Sequence, residues 1–80
     1  MSIKIVDFEW DKHNVEHIQK AHPHLDLEML EDIVRQAKNY VQLGNNRFGK
    51  TVYGARRGRL MVLFNIKAGR IARIFSVRGR

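Results

Sequence analysis

Cysteine is absent from this 80-residue chain, and proline occurs once, at Pro23. Without thiols no disulfide framework and no thiolate zinc site can offset the small size, and nothing argues for an oxidising compartment. Long apolar runs are missing too. The longest, Leu60 to Phe64, falls far short of the roughly 20 residues a membrane span needs. The opening MSIKIVDFEW lacks a secretory pattern, so a soluble, cytoplasmic protein with no membrane partner is expected. A chain of this length hides roughly 60–65 % of its unfolded surface on folding, enough for one small core. A single domain, residues 1–80, is therefore expected, and large multi-domain enzymes are excluded. The most telling absence is that of carboxylate side chains: none occurs after Asp32.

What is present is charge, sharply divided. The first 32 positions hold all eight acidic residues and only Lys4, Lys12 and Lys20, a net of −5. The remainder holds twelve basic residues, nine of them arginine, a net of +12, and the whole chain carries +7. So many uncompensated cations repel one another in a folded domain, and a polyanionic partner is the usual reason a fold carries them. The preference for arginine points to phosphate, because a guanidinium fork holds it through two hydrogen bonds. Nucleic acid is the expected partner.

Apolar spacing gives the elements. Ile3, Ile5, Phe8 and Trp10 read as a short opening strand, followed by an Asp11 cap and a helix from Lys12 to Ala21 along the stripe Val15, Ile18, Ala21. Pro23 stops it. Asp26 caps a second helix whose Leu27, Leu30, Ile33, Val34 and Ala37 share a face, with acidic residues early and Arg35 and Lys38 late, as the macrodipole favours. After Asn39 the period becomes two. Tyr40 to Leu43 predicts a strand, Gly44-Asn45-Asn46 a turn, Phe48 to Gly54 a strand and Arg56-Arg57-Gly58 a turn. Leu60 to Ile66 is apolar on both faces, as in a central strand, and Ala68-Gly69 turns the chain again. In the last segment, Arg70 to Arg78, strict alternation would place Ile71, Arg73, Phe75 and Val77 opposite Ala72, Ile74, Ser76 and Arg78. The expected class is α+β: two N-terminal helices packed on one face of an antiparallel sheet of four to five strands.

Two motifs lead nowhere. His13-Asn14-Val15-Glu16-His17 matches H-x-x-E-H, but a third ligand and a large cleft are also required. No metal and no cofactor is expected. Gly44-Asn45-Asn46-Arg47-Phe48-Gly49-Lys50-Thr51 has the G-x-x-x-x-G-K-T spacing, but it lies in a predicted hairpin, whereas a phosphate loop runs from a strand into a helix. Phe8 and Trp10 are expected to cover the core rather than stack on bases.

Phe8-Glu9-Trp10-Asp11, His22 eleven residues past that Asp, Arg47, Gly58-Arg59-Leu60 before an apolar strand, and the closing Arg73-Ile74-Phe75-Ser76-Val77-Arg78 together resemble BrnT toxins. The Ala21-His22-Pro23 step before a Leu-rich helix is similar to other small ribonuclease folds of the barnase, EndoU, colicin and RelE superfamily. The resemblance spans almost the whole chain. It implies a RelE-like fold, a metal-independent endoribonuclease acting on RNA, including ribosome-associated messenger RNA, and a cognate antitoxin protein as partner. The chain departs from the family at Asn14 and Asn46, where members commonly carry a lysine and an acidic residue. Members also commonly continue past the closing strand into a helix. The alternative is a catalytically degenerate RNA-binding or antitoxin-binding module of the same fold.

Cutting RNA without a metal requires a base for the 2′-hydroxyl, cations around the five-coordinate phosphorus and an acid for the leaving 5′-oxygen. Arg47, Arg59, Arg73 and Arg78 come from three predicted strands or their ends, so a sheet could gather them on one concave face. Arg59, Arg73, Arg78 and His22 are the expected catalytic group, with Arg47, Lys50, Arg56, Arg57 and Arg70 binding RNA and Arg80 steering phosphate. Proton transfer could fall to His22, Lys50, Tyr53 or Glu9, and His22 is preferred because imidazole titrates near the working pH.

Overall fold

The computed structural model describes residues 5–79; Ile3 and Arg80 lie outside them. Seven elements follow in order: β1 (Asp7–Glu9), α1 (Lys12–Ala21), α2 (Leu27–Gln36), β2 (Val41–Asn45), β3 (Thr51–Arg57), β4 (Leu60–Lys67) and β5 (Ile71–Arg78). Both helices begin where their caps predict. The Asp11 side chain accepts from the His13 N–H at 2.8 Å, and that of Asp26 from the Glu28 N–H at 3.0 Å. Among the described residues no helix is long and apolar enough to cross a membrane.

The strands form one five-stranded sheet in the order β1-β5-β4-β3-β2. Consecutive strands β2 to β5 run antiparallel, but β1 lies parallel to β5, so the sheet is mixed rather than wholly antiparallel. No hairpin joins these two strands; nearly the whole domain connects them, which leaves their relative direction to the docking itself. Three other expectations shift. The β2–β3 turn falls at Asn46–Gly49 rather than Gly44–Asn46, because the Asn46 side chain accepts from the N–H groups of both Phe48 and Lys50. Phe48 thus leaves the strand for the turn. Arg56 and Arg57 belong to β3, and the turn is Gly58-Arg59. Lastly, β5 does not alternate strictly. Leu63 pairs with Ser76 but Phe64 with Ile74, so Phe75 is an extra residue, a β-bulge. Past it the faces exchange: Val77 joins Ala72 and Ile74, and Arg78 joins Arg73.

The helices cover one face. Ile18 of α1, and Leu30, Ile33 and Val34 of α2, close over Ala55, Val62, Phe64, Ala72, Ile74 and Val77. Ala21, at the end of the α1 stripe, is exposed because the helix stops there. Phe64 is fully buried, with Tyr40 edge-on at 5.1 Å and Tyr53 stacked at 5.9 Å. Trp10 fastens the β1 edge to α2 through a 2.6 Å bond from its indole N–H to Glu31 Oε2, and Arg35 sits 4.9 Å over the Phe8 ring.

Phe64→Ala should cost about 3–5 kcal/mol, read from denaturant unfolding, since it opens a cavity between two rings. Burial raises the Tyr40 phenol above its ordinary 10.0, and its O–H donates to the Val34 carbonyl at 2.9 Å. The folded state thus favours the protonated phenol; that stability is complete below about pH 10 and lost as pH rises through the raised value. Stability measured above pH 10 should fall less steeply in Tyr40→Phe than in the parent.

Candidate nucleic-acid interface

Since Val62 and Phe64 point to the helices, Met61, Leu63 and Asn65 point away from them. Register places neighbours beside these: Arg56 and Arg78 flank Met61, Gly54 and Ser76 flank Leu63, and Arg73 lies opposite Asn65. Val41 and Leu43 of β2, 46 % and 43 % exposed, extend the same face. Gly54 keeps it shallow, as a Cβ there would stand 2.9 Å from Met61 Sδ.

Two concavities on this face bring arginines together. The first is lined by Arg56, Arg59 and Arg78 together with Leu43, Met61, Gly58 and Gly79. Arg56 and Arg78 occupy one cross-strand row two strands apart, about 10 Å between backbones. Gly79 brings the end of β5 against the Gly58-Arg59 turn: its φ is +99°, and a Cβ there would collide with the Arg59 carbonyl. Ion pairs among the described residues engage Arg35, Arg57, Lys67 and Arg73, and none engages these three arginines. Three like charges with no ion pair among the described residues concentrate positive potential there.

The second concavity, about 460 Å³, lies between the N-terminus of α1 and the β2–β3 hairpin tip. Arg47, Lys50 and Arg73 supply its cations, Asp11 a carboxylate, Asn14, Asn46 and Asn65 its amides, and Phe48 and Phe75 its aromatic walls. Arg73 is held by carboxylates at its margin: Nε lies 3.3 Å from Glu9 Oε1 and Nη2 3.7 Å from Asp11 Oδ2. Lys67 also reaches Glu9, at 3.2 Å. Asn65 donates to the Thr51 carbonyl at 2.8 Å. The groove therefore sets three cations around one carboxylate.

The expected single cluster is thus divided. Arg59 and Arg78 meet in one concavity, with Arg56; Arg73 and Arg47 meet in the other, with Lys50. Four strand positions separate the Met61 row from the Asn65 row, about 13 Å. Arg57 points the other way and binds Asp32 at 3.0 Å and Gln36 at 3.1 Å on α2. Arg70 is exposed in the β4–β5 turn, outside both concavities. His22 lines neither: it caps α1, and its Nε2 lies 3.2 Å from the Val77 carbonyl oxygen. Tyr53 packs on Phe64, and Glu9 serves as counter-ion. Phe48 was not expected here; the signal lay in Asn46-Arg47-Phe48-Gly49, an Asn two before a residue that then needs no strand partner, with glycine following. Among the described residues no three His, Cys, Asp or Glu side chains are grouped so as to hold a metal ion.

No family model, curated protein or solved structure matches the chain.

Gly79→Ala should move the β5 end away from the turn. Amide NMR shifts concentrated at Gly58, Arg59 and Arg78, with a smaller stability loss than Phe64→Ala, are the expected result.

Proposed function

We propose that this chain is an RNA-directed toxin with a RelE-like fold of the BrnT kind, which binds RNA across the open sheet face, cleaves it without a metal and is silenced by an antitoxin covering that face. The observation that carries the reading is the convergence of Arg56, Arg59 and Arg78, unpaired among the described residues, on one concavity. The order of two helices followed by an antiparallel meander supports it.

In this reading the arginine trio anchors one phosphate and the groove beside it holds the scissile one. Arg47, Arg73 and Lys50 neutralise charge that builds on the phosphoryl oxygens. The Asp11 carboxylate accepts the 2′-hydroxyl proton, the 2′-oxygen bonds to phosphorus, and the bond to the 5′-oxygen breaks as Lys50 supplies its proton. The products are a 2′,3′-cyclic phosphate and a free 5′-hydroxyl. His22, which lines neither concavity, is given no proton-transfer role in this reading.

A second reading, binding without cleavage, is favoured by one observation: Asn14 and Asn46, the positions where lysine and an acidic residue are common in BrnT toxins, both line the groove. Incubating RNA with the purified protein in EDTA separates the two. Fragments ending in 2′,3′-cyclic phosphate are expected for the nuclease; RNA left whole at high protein concentration, yet bound in a salt-sensitive way, would assign the binding module. In either case Arg56→Ala, Arg59→Ala and Arg78→Ala combined should flatten the plot of log affinity against log salt by about 0.7, the contribution of one phosphate on a single strand. Arg57→Ala, on the helix side, should leave that slope unchanged.

A further inference from the structure

The hairpin tip carries the most exposed large apolar side chain of the described residues, Phe48, at 78 %. The tip is well built. Asn46 Oδ1 accepts from the Phe48 N–H at 2.9 Å and the Lys50 N–H at 3.0 Å, the Gly49 N–H donates to the Asn46 carbonyl at 3.0 Å, and the Asn46 N–H to the Lys50 carbonyl at 2.8 Å. Gly49, at φ +78°, closes the turn in a geometry that side chains resist. A ring presented in water from so fixed a loop is pre-organised to meet a partner.

Its surroundings say which kind. Arg47 lies 5.9 Å from the Phe48 ring centroid, and the same groove contains Lys50, Arg73 and Phe75. Aromatic faces alternating with cations suit unpaired nucleotides: each base stacks on a ring while its phosphate meets a positive charge. A duplex would first have to unstack a base step to use such a ring, at a cost an unpaired base does not incur. We propose that Phe48 is a stacking platform for an unpaired base, whose adjoining phosphate sits among Arg47, Lys50 and Arg73. This rests on the RNA reading above and narrows the ligand to single strands.

A short 2′-O-methyl oligonucleotide, which lacks the attacking hydroxyl and stays uncut, carries the test, with 2-aminopurine as the reporting base. The full chain should quench its emission on binding. Phe48→Ala should weaken binding roughly tenfold and abolish the quench, with the salt slope unchanged because no cation is lost. Phe48→Tyr should restore both, and annealing the oligonucleotide to its complement should remove the dependence on residue 48. Equal affinity of Phe48→Ala and the parent overturns the stacking role while the arginine-dependent salt slope keeps the RNA reading intact. Phe48→Leu matching the parent in affinity and quench also overturns it, and marks the tip as an apolar contact for a protein. No oligonucleotide binding by the parent chain overturns the RNA reading itself.

Discussion

One extra residue in β5 decides where the guanidinium groups go. Arg73 and Arg78 are five positions apart, an odd spacing that regular pleating would send to opposite faces. Phe75, unpaired between Ile74 and Ser76, resets the alternation. Val77 then turns into the core beside Val62, and Arg78 turns out beside Met61. Without the bulge an arginine would face the helices and a valine the water. The bulge also leaves Phe75 facing the groove, so the residue that resets the register becomes part of the groove wall.

The division of charge in the chain becomes a division of space. Carboxylates of the first 32 positions serve as counter-ions on the helix side and along the β1 edge: Asp32 for Arg57, Glu31 for Arg35, and Glu9 and Asp11 for Arg73. Exposed pairs of this kind add little stability each. Their larger effect is on distribution, for they use up cations elsewhere and leave the positive field concentrated on the bare sheet face. Arg73 stands at the boundary, paired at its margin yet lining the groove.

The helices were legible because their limits are written in local chemistry: Asp11 and Asp26 bond to the backbone two residues on, and Pro23 separates the two. The apolar run Leu60 to Phe64 likewise disclosed a central strand. The direction of β1 was not legible, since it depends on docking across the whole domain. Neither was the bulge, because Ile74-Phe75-Ser76-Val77 reads equally well as a plain strand. The hairpin turn was misplaced by the glycine at Gly44, which lies within β2 near a register shift, while Asn46 sets the turn. Of the expected site residues, the helix-side place of Arg57 was not legible for a related reason: without the strand ends, its face cannot be counted.

Trp10 is the chain's single tryptophan, and its indole N–H is bonded to Glu31 on α2. Its emission consequently registers whether α2 is seated against the β1 edge. A change in that intrinsic fluorescence reports helix undocking, a built-in gauge of folding that needs no added dye.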